Sequence, residues 1–273
     1  MKKIKAKRQS KREIYESYGI SYNPKTGKII APVYGEINPL LVNGNAKLGK
    51  GVYTWSTLPT SKRITAVLDK ETGLTITETG TCPVTCKGCY ATSGCYCFNS
   101  TKVSLAIKTA LARRHMDFVY RAIVAQIKAD RIKLVRIHCA GDFFSTEYIE
   151  MWKAICNACS DCIFWSYTKN PEAEQAFDNV PNCNIVKSVI HGMGFNFGKC
   201  GYIIKAYHAL KAAGKNVYIC RCGIDPNQHC TNCKGCSRNE YVLFVEHSTN
   251  YKAELDPDYP ELKAIVEAQA YPA

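Results

Sequence analysis

Three cysteines, Cys82, Cys86 and Cys89, fall inside TCPVTCKGCYA, residues 81–91. Their spacing is C-x3-C-x2-C, and Pro83 and Gly88 favour a tight loop. Three thiolates cannot complete a structural zinc site, which wants four ligands. On a cubane of four irons, three cysteines leave one iron open for a cofactor or substrate. The plain alternative is three unpaired cysteines in a turn. A second run, CRCGIDPNQHCTNCKGC, gathers Cys220, Cys222, Cys230, Cys233 and Cys236, with His229 among them. Cys230, Cys233 and Cys236 form C-x2-C-x2-C, the start of a ferredoxin-type run. Cys220/Cys222 with Cys230/Cys233 would instead make a zinc-ribbon-like set. The expected ligands are Cys222, Cys230, Cys233 and Cys236, a filled site that is structural or electron-relaying. Cys220 is expected on a strand, pointing elsewhere.

The compartment decides what such thiols do. The N-terminal MKKIKAKRQSKR is basic but no apolar stretch follows it, so it does not read as a secretory signal. No apolar run approaches the roughly 20 residues of a membrane-spanning helix. The expectation is a cytoplasmic chain with no membrane contact, where a reducing environment disfavours disulfides and favours metal or catalytic cysteines. The 273 residues can bury a real core, and 46% hydrophobic with 22% charged residues is ordinary for a globular protein. Net charge is +13. Lys2, Lys3, Lys5, Lys7, Arg8, Lys11 and Arg12 supply seven of those charges within residues 1–12, which read as a solvated, disordered tail. The rest of the chain stays basic, which keeps an anionic partner in play, nucleic acid or a nucleic-acid-associated protein included.

The elements that must position the thiols follow from pattern. Residues 13–60 read as short strands and turns, with GVYTW a strand. Residues 64–68 and 74–79 flank DKETG as a hairpin leading into the cysteine loop. Then strands and helices alternate. Residues 102–113 and 117–128 have helical periodicity, and 133–142 is a strand ending in a Gly-Asp turn. Ser145 caps a helix with Tyr148, Trp152, Ile155 and Cys159 on one face. A strand over 162–169, a short helix opened by Asn170-Pro171, a strand over 183–190, a helix over 202–213 and a strand over 216–222 complete the series. Alternation implies right-handed βαβ units and a parallel sheet. Counting the strand before Cys82, about six parallel strands fit an α/β fold, a partial, open β/α barrel. An N-terminal β-rich extension over 13–80 leads into the first barrel strand, the barrel covers 81–221, and a Cys-rich metal-binding segment with a C-terminal helix covers 222–273.

In such folds function collects at the C-terminal ends of the strands. The Cys82 loop, Gly141-Asp142, Thr168-Lys169, His191 and Cys220–Cys222 all lie at such ends. His138 is a cofactor contact or a hydrogen-bonded core histidine. Lys169 is a cofactor contact, and Asn170 reads as a helix cap. GMGFNFG (192–198) reads as a mobile loop or a backbone approach to a ligand. Trp55, Trp152 and Trp165 read as core. Cys139, Cys156, Cys159, Cys162, Cys183 and Cys200 read as small core residues. Cys95 and Cys97 read the same way, or as a spare ligand pair.

CPVTCKGCY resembles the cluster loop of radical S-adenosylmethionine (SAM) enzymes, and IHCAGDFF (137–144) looks like that family's glycine-rich turn after the second strand. The resemblance implies a [4Fe-4S] cluster on Cys82, Cys86 and Cys89, with SAM as cofactor. It implies contacts from Gly141 and Asp142 to the methionine amino group, with Tyr90, His138 and Lys169 nearby. It also implies a reductant protein such as flavodoxin or ferredoxin. The second cysteine group would hold a further [4Fe-4S] cluster or zinc. More narrowly, NAKLGKGVYTWSTLP, the cysteine loop, VRIHCAGDFFSTEYIEMW, FWSYTKN and the C-terminal cysteines resemble the phage Gene product 88 domain family. That implies a bacteriophage or mobile-element origin and the host cytoplasm as location.

Two functions stay open at this level. One is a radical SAM-type enzyme acting on an unknown substrate. The other is a non-catalytic, zinc- or iron–sulfur-stabilised nucleic-acid-binding protein.

Overall fold

A computed structural model describes residues 9–44, 48–60, 63–83, 89, 91, 93–190, 192–225, 227–246 and 252–269. Helix α1 (Lys11–Ser17) starts where the basic tail was expected to end and short strands to begin. Its signal is local. The Ser10 hydroxyl accepts from the Glu13 amide while the Glu13 carboxylate accepts from the Ser10 amide, a reciprocal cap. Strands β1 (Tyr22–Asn23), β2 (Lys28–Ala31) and β3 (Gly35–Ile37) form an antiparallel meander.

The central sheet comes next. β4 (Val42–Asn43) is its antiparallel edge beside β5 (Val52–Thr54). The hairpin β6 (Arg63–Val67) and β7 (Thr75–Thr79) forms a separate two-stranded sheet. Helices α2 (Asn99–Arg114) and α3 (Met116–Asp130) follow, then β8 (Leu134–Ile137), α4 (Thr146–Ala158), β9 (Ile163–Thr168), α5 (Pro171–Ala176) and β10 (Cys183–Lys187). β5, β8, β9 and β10 are parallel and adjacent in chain order. The strand counted before Cys82 is therefore corrected. Among the described residues β7 pairs with β6 alone, and β5 is the strand that joins β8. The extended run expected over 183–190 also breaks. β11 (Val189–Ile190) turns back to pair antiparallel with β12 (Gly194–Phe195).

The alternation of β8 and β9 sorts their side chains between two faces. Val135, Ile137 and Phe164 join Trp55, Tyr148, Trp152 and α3 residues in the main core. Leu134, Trp165 and Tyr167 face the other way, with Val52, Cys139, Cys230 and Cys236.

The C-terminal part builds a second layer. β13 (Phe197–Gly198), α6 (Cys200–Ala212), β14 (Val217–Ile219), α7 (Cys230–Cys233), β15 (Tyr241–Val245) and α8 (Tyr259–Ala268) follow in order. The strands pair in parallel as β13-β15-β14. Ile203, Leu210, Ile219, Leu243, Leu262 and Val266 make their core. The Lys187 amide donates to the Glu240 carbonyl, and Asn184 Nδ2 donates to the carbonyls of Cys236 and Asn239, which joins this layer to β10. The architecture is mixed α/β, and the described strands form no closed barrel. No described helix is long and apolar enough to cross a membrane.

Candidate functional site

The cysteine loop reaches the C-terminal end of β5 by a detour. After β5 the chain leaves through the β6–β7 hairpin and returns at Thr81, whose amide donates to the Leu58 carbonyl at 3.0 Å. Two glycines permit the return. A Cβ on Gly80 would lie 1.6 Å from the Thr60 carbonyl oxygen, so the strands close over it only because it is glycine. Gly141 has φ +82°, and a Cβ there would lie 1.9 Å from the Thr57 hydroxyl and 2.6 Å from that of Thr81. Thr57 and Thr81 share a hydrogen bond of 2.9 Å, and the Asp142 amide donates to Thr81 Oγ1 at 3.0 Å. The start of the cysteine loop is thus knitted to the turn after β8. Arg113 on α2 locks the detour. It pairs with Glu78 at 2.9 Å and donates to the Thr79 and Gly80 carbonyls, while Arg114 also pairs with Glu78. Cys82 and Cys89 are half-buried and in no disulfide. Cys86, Tyr90 and His191 lie outside the described residues.

Gly141, Asp142, His138 and Lys169 converge on this rim, in more structural postures than a ligand contact needs. The buried Asp142 carboxylate accepts from the Phe143 amide at 2.8 Å, Thr168 Oγ1 at 2.6 Å and the Lys169 amide at 2.9 Å. Burial raises its pKa, and those donors oppose the rise. The Lys169 ammonium lies over the Phe195 ring, 5.6 Å from its centroid. Asn170 caps α5, accepting from the Glu172 amide. His138, buried with φ +59°, takes part in a relay. Trp55 Nε1 donates to the Tyr148 hydroxyl at 2.7 Å, which lies 2.9 Å from His138 Nε2. Ser166 Oγ donates to the Ile137 carbonyl and lies 3.4 Å from His138 Nδ1. That order of donors fits a neutral ring protonated at Nδ1. Burial pushes its pKa down to about 3.

The second cysteine group assembles on the Trp165 face of the sheet. Cys220, Cys222, Cys230, Cys233 and Cys236 line one cavity of about 20 Å³, with Leu134 and Trp165 in its wall. Cys220 therefore does not point elsewhere. β14 ends at Ile219, and the next residue turns into the cavity. The Cys222 thiol is in hydrogen-bond contact with Cys220 and Cys230, and contact with Cys220 leads in pushing its pKa up to about 12. The Tyr167 hydroxyl donates to Cys236 Sγ at 2.6 Å, and Tyr218 Oη lies 3.3 Å from Cys233 Sγ. Arg136 stacks on Tyr167 at 4.8 Å. Burial pushes Cys236 up to about 12, and Arg136 pulls both Cys236 and Cys230 back down. His229 Nδ1 is buried without a hydrogen-bond partner. Among the described residues, no three His, Cys, Asp or Glu are disposed to hold a single metal ion. The donor chemistry is nevertheless thiol-rich with a guanidinium alongside, which suits thiophilic metals or iron–sulfur clusters.

Arg136 and Tyr167 escaped the sequence reading. Their signal was the two-residue alternation that puts Leu134 with Arg136, and Trp165 with Tyr167, on the cysteine face. Cys156, Cys159, Cys162 and Cys200 are buried as expected of core residues, and Cys139 and Cys183 are half-buried. Cys95 and Cys97 are exposed in a short 3-10 turn, so the packing expectation for them is corrected. All three tryptophans are buried.

No curated protein and no solved structure is significantly similar to the chain. The Gene product 88 family model matches residues 39–194, which run from β4 to the first residue of β12 and include the rim just described. That is more than half of the chain, and the chain belongs to the Gene product 88 family.

Proposed function

We propose that the chain is an iron–sulfur protein of the radical SAM type, built on a partial β/α barrel whose first strands are β5, β8, β9 and β10. The observation that carries this reading is the docking of the Cys82 loop onto the C-terminal rim through Thr57, Thr81 and Gly141. Cys82, Cys86 and Cys89 would hold three irons of a [4Fe-4S] cluster and leave the fourth for SAM. When bound, that pair supplies reductive cleavage of the sulfonium to start radical chemistry on a substrate. The chain's own residues bind and orient. Asp142 spends its carboxylate on Phe143, Thr168 and Lys169, so it holds the turn in shape and leaves the Gly141 backbone to meet the ligand. His138 and Lys169 lie at the same rim, and the family resemblance assigns Tyr90 to the same ligand. The electron comes from a reductant protein such as flavodoxin or ferredoxin in the host cytoplasm. The test is anaerobic reconstitution with iron and sulfide, then SAM and a reductant. Release of 5′-deoxyadenosine, abolished by Cys86→Ala, is expected. A loaded cluster that yields none refutes the reading.

One observation favours a second reading. The five-thiol cavity is small, with more than the four ligands a structural metal site wants, and the chain carries +13. A non-catalytic nucleic-acid-binding protein would carry zinc alone and lose affinity steeply with salt.

A further inference from the structure

We propose that Lys108 anchors an anionic group, a carboxylate or a phosphate, of a ligand that enters at the C-terminal rim of the parallel strands. Lys108 sits on α2 among Leu105, Thr109, Leu111 and Ala112, on the buried side of that helix, and is only 7% exposed. Its neighbour Thr109 accepts from the Leu58 amide, and the Leu58 carbonyl in turn accepts from Thr81, the residue before Cys82. The lysine therefore flanks the end of β5, where the cysteine loop begins. Its ammonium lies 5.6 Å from the centroid of the Trp55 ring. A ring face attracts a cation but does not neutralise it.

No described carboxylate is left to neutralise it. Glu78 and Asp142 are the acidic side chains buried among the described residues. Glu78 is taken by Arg113 and Arg114, and Asp142 by Thr168 and two backbone amides. The titratable group that acts on Lys108 is the Cys139 thiol, and it only partly offsets burial, which lowers the lysine to about 8. At neutral pH the group is still mostly protonated. A buried, uncompensated cation destabilises a fold unless something binds it. A neutral residue at this position would avoid that cost, and a bound anion would offset it.

The inference rests on the reading of this rim as the ligand-binding face, but not on iron or SAM. Thermal unfolding of the as-purified chain is compared in inorganic phosphate, acetate and chloride at equal ionic strength, with iron measured on the same samples. Wild type is expected to gain several degrees in phosphate or in acetate over chloride. Phosphate alone points to a phosphoryl ligand, and acetate alone to a carboxylate. Lys108→Met should match or exceed wild type in chloride and lose the response, and Lys108→Arg should keep it. An equal response in Lys108→Met, or none in wild type, overturns the proposal. Should Lys108→Met fail to fold, phosphate or acetate must slow acylation of Lys108 by an amine-reactive ester in wild type, read by mass spectrometry, and unchanged acylation overturns it. A chain that cleaves SAM yet shows no anion response refutes only the role of Lys108. An anion response without iron leaves Lys108 standing and removes the radical reading.

Discussion

His138 shows how a single residue can be committed to structure while standing next to a candidate site. Its φ of +59° is sparsely populated for a residue with a side chain, and its ring is buried between Tyr148, Ser166 and Phe143. A ring held neutral this way makes stability depend on pH. The folded value is about 3 and the free value about 6.5, so the unfolded chain takes up the proton first. This contribution is complete above pH 6.5 and is lost as pH falls toward 3. His138→Asn keeps a residue that tolerates this backbone and removes the titration. Between pH 6.5 and 5 wild type should lose about 2 kcal/mol more than the variant, read from urea midpoints at the two pH values. Equal losses would mean that His138 titrates in the folded chain as it does in the unfolded one.

At the scale of elements, the β6–β7 hairpin and α2 act as one bracket that delivers the cysteine loop to the rim. The bracket turns on Glu78, whose carboxylate is buried while it pairs with two arginines on the last turn of α2. Arginines at a helix C-terminus also suit its dipole. Glu78→Gln keeps the shape and removes the charge that pairs with Arg113 and Arg114. The expected cost is about 2 kcal/mol in urea unfolding. Amide exchange should also rise over 75–81 and stay unchanged in β14 and β15. A uniform rise across the chain would mean that the hairpin is not a separate bracket.

For the molecule as a whole, the cysteine segment is the seam. Its cavity is walled on one side by Leu134 and Trp165 of the central sheet and on the other by residues that follow β14. On the reading of this cavity as a metal site, Cys233→Ala should lower metal per chain by one site's content and raise amide exchange in β14 and β15, while the core around Trp55 and Trp152 keeps its protection. Unchanged metal content would remove Cys233 from the ligands. Much of this was readable along the chain. The helix caps at Ser145 and Asn170, the hairpin around DKETG and the strand–helix alternation rest on contacts within a few residues, and composition and spacing carry such contacts directly. Helix α1 also carried a local signal, its Ser10–Glu13 pair, which the reading of residues 1–12 as a tail passed over. Other features depended on folding instead. One is that β5, rather than the strand before Cys82, lies beside β8. Another is that Cys220 joins its neighbours in one cavity. A third is that Tyr167 reaches Cys236 across 69 positions, and Thr57 meets Thr81 across 24. Strand partners and side-chain convergence of that kind come from packing between distant segments, and no local pattern encodes which segments will meet.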